Sequence, residues 1–298
     1  MNFELINPQS FKELFLVLKK LKHRKYRYAA GCTDILIELK RNPEDDLTLV
    51  NLSQIKDFKF RGISQTKNSV RLGAGVTAND IVRNLNIKLL YPVLWEAAYN
   101  LASTQIRQVA TIGGNICTAS PSGDITCALV SLDATCVIIG VHGEREIRIR
   151  DFFEGPRQTA LKKGELLYEI IIPGNKKNTV KLFSSFIKIG TRRSMECSVV
   201  SIAYHIQIDG FNKILTSGFA IGAVAPTIRF TAKACNFINR KNINALTERD
   251  AESFALKVSE YSDPISDIRA TRWYREKVLF NLSKSIIEDI IKCQIEVK

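Results

Sequence analysis

Residues 110–124 read ATIGGNICTASPSGD and constrain the fold of this chain more than any other stretch. Glycines and small hydroxylated residues leave the backbone accessible, so that an anion can approach its N–H groups closely. A similar stretch, AAGCTD at residues 29–34, lies between a predicted strand, YRYAA, and a predicted helix that Thr33 or Asp34 caps. A strand, a glycine turn and a helix in this order point unpaired N–H groups at an anion. The two stretches predict a cleft that wraps a diphosphate.

Neutral side chains take the place of lysine in both stretches. The predicted neutral donors are Thr33, Thr111, Asn115 and Ser120. Asp34 and Asp124, at the margins, are placed to accept hydrogen bonds from a ribose. The residues alone leave one alternative open, namely that both stretches are glycine-rich hairpin or cap turns without a ligand.

The size and composition of the chain exclude several classes of protein. A chain of 298 residues reaches the length at which a single core stops growing, about 250–300 residues, so we expect two lobes. No apolar run approaches the ~20 residues of a membrane helix, and MNFELINPQS at the N-terminus has no signal-peptide pattern. We therefore expect a cytoplasmic protein without a membrane span.

The sequence contains few candidate residues for metal-dependent or hydrolytic chemistry. The 7 cysteines form no CxxC pair and have no histidine nearby, so we expect no metal site within this chain. His23, His142 and His205 stand beside no plausible nucleophile. We accordingly assign no catalytic side chain.

Residues 73–78, GAGVTA, match the dinucleotide-binding fingerprint G-x-G-x-x-G/A. That fold requires a second strand after the helix, ending in an acidic residue about 20 positions further on. The segment LYPVLWEAA, which lies there, has a helical pattern instead. A stand-alone NAD-dependent dehydrogenase that uses this loop remains an alternative.

The net charge of +13 would steer an acidic protein partner onto the surface equally well as a nucleic acid, so a nucleic-acid-binding protein is a further alternative. The densest basic run is KKLKHRKYRY, from Lys19 to Tyr28, in which two tyrosines interleave with the cations. Such a run could follow a phosphate backbone, although it is also typical of a solvated helix end.

Local patterns predict the order of the helices and strands. We expect a helix after Ser10, a second helix capped by Thr77 and a helical segment over 90–110. Two strands around His142, a strand ELLYEIIIP, and an antiparallel sheet over 184–226 follow. The polar residues 173–179 mark the domain boundary. Near the C-terminus, one helix should share an apolar face formed by Trp273, Val278, Leu282, Ile286 and Ile290.

Several motifs together resemble the FAD-binding, or medium, subunits of the molybdenum hydroxylases of the xanthine dehydrogenase and carbon monoxide dehydrogenase type. The segment STQIRQVATIGGNICTASPSGD is similar to that family's Q-I-R-N-x-A-T-I-G-G-N-I-x-x-A-S-P-x-x-D signature, and AGCTDILIELK resembles its A-G-G-T-D-L segment. Further matches are DFFEGPRQTAL, FIKIGTRRSMECSVVSIA, GAVAPTIRF and PISDIRATRWYR. The resemblance spans essentially the whole chain.

The resemblance implies an α+β protein with a two-part FAD-binding lobe of the vanillyl-alcohol-oxidase type. A smaller α+β C-terminal lobe with an antiparallel sheet and helices follows it. We expect an FAD-binding domain over 1–175, with subdomains at about 1–58 and 59–175. A C-terminal flavoprotein domain covers 176–298.

The resemblance also assigns cofactor contacts residue by residue. Two loops clasp the FAD diphosphate, Asp124 contacts the flavin nucleotide, Leu101 and Leu167 flank the flavin ring, and Lys188 lies near it. The implied loop contacts are Ala29, Ala30, Gly31, Cys32, Thr33, Asp34, Ile35 and Leu36, then Thr111, Ile112, Gly113, Gly114 and Asn115.

The chain departs from the family pattern at two places. Cys32 stands where a second glycine is usual, so the loop must accommodate a Cβ. Glu196 and Cys197 stand where the family commonly has Asp and an aliphatic residue.

The implied function is that of an oxidoreductase subunit in a hetero-oligomer, a heterotrimer in the simplest case. A molybdopterin-binding subunit hydroxylates the substrate, for which a purine such as xanthine is the family default. A ferredoxin-like subunit with two [2Fe–2S] clusters then conducts electrons to FAD, and NAD⁺ is the expected acceptor. The molybdenum cofactor and the clusters belong to the partners only.

Overall fold

The computed structural model describes residues 3–192 and 195–293. Residues 1, 2 and 294–298, at the ends of the two predicted domains, and two positions of the RRSMECSVV motif lie outside the described residues. None of the helices within the described ranges is long and apolar enough to cross a membrane.

The strands form separate sheets along the chain. In chain order they are β1 (Glu4–Ile6), β2 (Tyr26–Ala29), β3 (Thr48–Asn51), β4 (Ile63–Gln65), β5 (Ser69–Gly73), β6 (Thr135–Gly140), β7 (Gly143–Arg148), β8 (Phe153–Gly155), β9 (Gln158–Thr159), β10 (Leu166–Pro173), β11 (Lys181–Ile189), β12 (Val200–Ile208), β13 (Ile214–Gly222) and β14 (Arg229–Phe230).

The helices cover the faces of these sheets. In chain order they are α1 (Phe11–Lys20), α2 (Ile35–Arg41), α3 (Phe58–Arg61), α4 (Ala78–Arg83), α5 (Leu85–Leu90), α6 (Pro92–Tyr99), α7 (Thr104–Val109), α8 (Ile112–Cys117), α9 (Asp124–Ser131), α10 (Ala232–Ile238), α11 (Glu248–Ser259) and α12 (Arg272–Lys292).

The first sheet is small and parallel, with the strand order β1-β3-β2. Its register pairs Leu5 with Leu49 and Tyr28 with Val50. Helix α1 begins as predicted, because the Ser10 side chain accepts a hydrogen bond from the N–H of Glu13. The edge strand β2 leads directly into the first glycine stretch.

The second sheet is antiparallel, with the order β4-β5-β10-β6-β7. Ile170 of β10 pairs with Leu72 on one side and with Cys136 on the other, and all of them are fully buried. The register shifts between Leu167 and Glu169, so the strand is irregular beside Leu167. This irregularity adjoins the second glycine stretch.

The third sheet is also antiparallel, β11-β12-β13-β14, and α10 to α12 belong to its core. Helix α9 joins it to the second sheet, because every residue from Asp124 to Ser131 is buried. Gly218 of β13 permits this close packing, since a Cβ there would lie 1.7 Å from the Ser131 carbonyl oxygen. Asp124 therefore stands at the start of the helix that links the two halves of the chain.

The α+β class with an antiparallel C-terminal sheet and helices is confirmed. The predicted boundary at 173–179 starts at the last residue of β10 and ends before β11. The single helical segment expected over 90–110 is instead α6 and α7. Ala102 has a φ of 42° between them, and Ser103 caps the second helix by accepting from the N–H of Ile106.

The predicted apolar face of α12 is wrong at its first residue. Trp273 is 66% exposed, whereas Leu279, Ile286 and Ile290 are buried. The buried face instead begins with Arg275, whose Nη1 and Nη2 donate to backbone carbonyls and to Asp267. An amphipathic pattern that counts only apolar residues does not find such a position.

Candidate cofactor site

The first glycine stretch turns from β2 into α2 and exposes its backbone. Within the described part of the chain, the N–H groups of residues 31–36 donate to no acceptor. Asp34 is the N-cap residue of α2, but its side chain makes no capping hydrogen bond. Consecutive free N–H groups before a helix can bind the oxygens of a phosphate. This loop therefore offers the donors that the sequence analysis predicted.

The two glycine stretches lie against each other. A Cβ at Gly31 would lie 1.9 Å from the carbonyl oxygen of Val109, so only glycine allows this approach. Nearby, Asp34 Oδ2 accepts a hydrogen bond of 3.0 Å from Thr118 Oγ1. One oxygen of the carboxylate that was expected to face a ribose thus links the two loops.

The backbone donors of residues 112–115 in the second stretch already have acceptors within the protein. The N–H groups of Ile112 and Gly113 donate to the carbonyls of Val76 and Ala74, both at 2.8 Å. Those of Gly114 and Asn115 donate to Thr111, through Oγ1 and the carbonyl respectively. The stretch forms the helix α8, and its backbone N–H groups are already hydrogen-bonded within the protein. It can still shape a wall, because Gly113 and Gly114 carry no side chain.

A cavity of about 130 Å³ opens between the two stretches. Its lining combines both glycine stretches with apolar residues of the two N-terminal sheets. The lining residues are Tyr28, Ala30, Leu52, Phe60, Ala74, Thr111, Gly113, Gly114, Cys117, Leu161, Leu166 and Leu167. The structure thus places Leu167 in the wall, whereas Leu101 is not among these residues; it packs against the main core, and its carbonyl accepts from Arg107.

One polar atom in this cavity wall lacks a partner. Tyr28 Oη is buried, with Tyr26 packed edge-on nearby, and it makes no hydrogen bond to any residue within 3–192 or 195–293. Burial raises the pKa of this phenol. A buried hydroxyl without a partner is uncommon in a folded protein, and a polar group of a ligand would satisfy it. The sequence showed no sign of it beyond the alternation of YRYAA.

A buried ion pair stands at the start of α9. Asp124 is 2% exposed; its Oδ2 lies 2.6 Å from Lys188 Nζ, and its Oδ1 accepts from Ser198 Oγ at 2.9 Å. Burial raises the pKa of Asp124 more than Lys188 and Ser198 lower it. The structure brings together Asp124 and Lys188, which were predicted separately. The sequence analysis missed Ser198, because its partner lies far away along the chain.

Some of the predicted neutral donors already make hydrogen bonds within the protein. Asn115 Oδ1 accepts from the N–H and the hydroxyl of Thr126 at 3.1 and 2.9 Å, which leaves its amide N–H groups for another acceptor. Ser120 Oγ lies 3.1 Å from Ser122 Oγ. No hydrogen bond within the described ranges involves the Thr33 hydroxyl. Asn115 thus ties α8 to α9 and retains donor capacity.

The remaining predicted contacts differ in their exposure. Ala29 is 3% exposed, and Ile112 is fully buried. Ile35 packs against the small cluster around Leu39, whereas Leu36 is 38% exposed. Only part of this set can therefore offer a side chain to a ligand, and the buried members act through their backbone or their packing.

The loop GAGVTA does not form a dinucleotide site. Strand β5, which ends at Gly73, pairs only with antiparallel neighbours, whereas the fingerprint fold requires parallel strands. A Cβ at Gly73 would lie 2.1 Å from the Phe60 carbonyl oxygen, and the N–H of Gly75 donates to that same oxygen. These glycines make room for α3, which argues against a stand-alone NAD-dependent dehydrogenase that uses this loop.

The basic run from Lys19 to Tyr28 is exposed at Lys19, at Lys20 and over 22–25, as expected for a solvated helix end, and only its last residues join β2. Arg27 pairs with Glu38 and Glu44, and hydrogen bonds to these carboxylates raise the pKa of Arg27. Its tyrosines lie on β2 and are partly buried. The end of the run therefore contributes a strand and ion pairs to the fold, whereas its first part is the exposed end of α1 and the turn after it. Among the described residues, no group of His, Cys, Asp or Glu is arranged to hold a metal ion.

Comparison with known proteins agrees with this architecture. Residues 1–175 match the family described as the FAD binding domain in molybdopterin dehydrogenase. Residues 185–290 match the CO dehydrogenase flavoprotein C-terminal domain.

Individual relatives cover most of the chain. The nicotinate dehydrogenase FAD-subunit of Eubacterium barkeri is 31% identical over 70% of this chain and 70% of that protein. The xanthine dehydrogenase FAD-binding subunit of Escherichia coli O157:H7 is 29% identical over 88% of this chain and 87% of that one. The structure of carbon monoxide dehydrogenase from Hydrogenophaga pseudoflava superposes with a TM-score of 0.87 at 24% identity, covering 96% of each chain.

Proposed function

This chain belongs to the family of FAD-binding subunits of the molybdenum hydroxylases, and from that premise we propose that it passes electrons from the [2Fe–2S] clusters of a partner subunit to NAD⁺. The observation that supports this proposal most directly is the loop of residues 31–36. Its free N–H groups lie beside a cavity between the two glycine stretches. The buried Tyr28 hydroxyl without a partner fits the same ligand.

The residues of this chain bind and orient the cofactor. We propose that the N–H groups of residues 31–36 hold the FAD diphosphate and that the cavity with Leu167 takes an apolar ring. Thr111, Gly113 and Gly114 form the opposite wall. Asp124, fixed by Lys188, accepts hydrogen bonds from the sugar-derived hydroxyls. Leu101 and Lys188 complete the contacts on the flavin side.

When bound, FAD would accept single electrons from an iron–sulfur cluster and would donate electron pairs, as hydride, to NAD⁺. We assign no acid or base in this exchange to any of the described residues. Its task is to exclude water from one side of the cofactor and to leave the other side open to partner and acceptor.

We propose a hetero-oligomer with a ferredoxin-like iron–sulfur subunit and a molybdopterin-binding subunit, a heterotrimer in its simplest form. The substrate, a purine such as xanthine in our proposal, binds in the molybdopterin subunit. We place the complex in the cytoplasm, where the free thiols of this chain stay reduced.

The complex purified through a tag on this chain tests the proposal. We expect FAD, iron and molybdenum in it, and we expect NAD⁺ to restore the visible absorption of oxidised flavin after anaerobic reduction by xanthine. A complex with FAD that oxygen or a quinone reoxidises, but NAD⁺ does not, would contradict the proposed acceptor. A complex without flavin would contradict the proposed function as a whole.

A further inference from the structure

Bulky apolar side chains gather on the surface at residues 265–274. Ile265 is 71% exposed, Ile268 104% and Trp273 66%. Isolated exposed apolar residues are ordinary on a protein surface, but several within one short segment indicate a binding surface. Tryptophan is also among the residues that contribute most to protein interfaces. We call Ile265, Ile268 and Trp273 the 265–273 patch.

The backbone beneath this patch is fixed. Arg275 is 3% exposed and donates from Nη2 to Asp267 Oδ1 at 2.8 Å. The same oxygen accepts from the N–H groups of Arg269 and Ala270. A surface that is already ordered loses little conformational entropy when a partner binds. The patch is therefore held in place by a buried guanidinium.

The segment beneath the patch is connected to one end of the proposed cofactor site. Arg275 Nη1 also donates to the carbonyls of Val199 and Ala223, at 2.8 and 2.7 Å. Val199 directly follows Ser198, whose hydroxyl donates to Asp124. Two hydrogen bonds and the chain link between Val199 and Ser198 thus connect Arg275, beneath the patch, with the Asp124–Lys188 pair. A protein that donates electrons to the cofactor must dock near it, because electron transfer weakens steeply with distance.

The net charge of the chain indicates what kind of partner protein it attracts. With a net charge of +13, two copies of this chain repel each other, whereas an acidic protein is attracted. Within the patch segment, Arg269 lies 3.9 Å from Asp267 and is 43% exposed at its side chain. Arg272, which is 57% exposed at its side chain, pairs with Asp263 and Glu276, so the rim around the apolar residues carries both signs of charge.

We propose that the 265–273 patch is the docking surface for an acidic, electron-donating partner subunit. This inference rests on the proposed function and specifies where its partner binds. It requires that the patch become covered in the complex and remain accessible in the chain alone.

Footprinting and a matched pair of variants test the inference. Carbene labelling of the purified complex and of the FAD-loaded chain alone should show at least tenfold lower labelling of Ile268 and Trp273 in the complex. Ile268→Asp should lower the iron that copurifies with the tagged chain at least fivefold, with FAD content unchanged. Phe211→Asp, at another exposed apolar residue (86%), should retain the iron.

Equal labelling in both samples, or full iron retention by Ile268→Asp, would overturn the docking surface. If the patch is protected in the chain alone and the chain sediments as a dimer, the partner at the patch is a second copy of this chain, and the proposed docking surface is overturned. Absence of FAD from every sample would refute the proposed function, while the labelling difference would still report on docking.

Discussion

Lys188 Nζ lies 2.6 Å from Asp124 Oδ2, and the two side chains are 14% and 3% exposed. The pair joins the first residue of α9 to β11, two elements that belong to different halves of the chain. A buried pair in this position fixes one end of the proposed cofactor site relative to the C-terminal sheet. It also makes the carboxylate dependent on a single cation.

Lys188→Met should destabilise the protein by about 3–5 kcal/mol, because it leaves a buried carboxylate without its cation. The double variant Asp124→Asn, Lys188→Met should recover most of this loss, since no buried charge remains. Urea unfolding of the FAD-free protein measures both values. A single variant as stable as the wild type would show that water already solvates the carboxylate.

Gly31→Ala should weaken FAD binding at least tenfold, about 1.4 kcal/mol, because the added Cβ would displace residues 31–36 from Val109. The matched control is Gly210→Ala, where a Cβ would meet only a Val180 methyl group at 3.8 Å. Quenching of FAD fluorescence measures both affinities. Wild-type affinity in Gly31→Ala would mean that the two loops need not touch.

Cys32 has a φ of 58°, the left-handed region that glycine tolerates best. We expect Cys32→Gly to change the stability by less than about 1 kcal/mol, because relief of strain and added chain entropy offset each other. Cys32→Val should cost about 1–3 kcal/mol and weaken FAD binding, because a β-branched residue disfavours this backbone. Thermal unfolding and FAD titration compare the two variants. Equal stability and equal FAD affinity of Cys32→Gly and Cys32→Val would contradict a strained backbone at this position.

His205 should make the protein less stable as the pH falls from 6.5 towards 4. Burial lowers its pKa from 6.5 to about 4, so the unfolded chain takes up a proton that the folded one does not. The contribution is complete above pH 6.5 and is lost on acidification, by up to about 3 kcal/mol. The neutral ring is held between Ser184 Oγ and Asn175 Oδ1, each at 2.9 Å.

Unfolding free energies between pH 7 and pH 4 check this sign. His205→Gln should flatten the dependence, whereas the exposed His142→Gln should leave it as in the wild type. A steeper loss of stability in His205→Gln would contradict the assignment.

Local signals in the sequence predicted much of the fold. Ser10 and Thr77 cap their helices as expected, and Thr77 forms a capping box with Asp80. The antiparallel strands of the C-terminal half follow from simple alternation, for example in β12. These signals succeed because the interactions involved lie within a few residues of one another.

The sequence could not predict features that depend on distant contacts. Gly73 fits a nucleotide fingerprint, yet the structure uses it to admit the backbone of α3. Residues 112–115 carry glycines as expected, but their N–H groups are consumed by carbonyls of residues 74 and 76 and by Thr111. The unpaired Tyr28 hydroxyl and the partner of Asp124, Ser198, appear only once the sheets are assembled. Which donors remain free is therefore decided by tertiary structure.

Hydrogen exchange of the chain with and without FAD tests the central claim most directly. We expect FAD to slow exchange of the backbone amides of residues 31–36, which have no acceptor within the described structure. Residues 112–115 should change little, because their amides are already bonded. Unchanged exchange at residues 31–36 in a chain that has bound FAD would contradict the account.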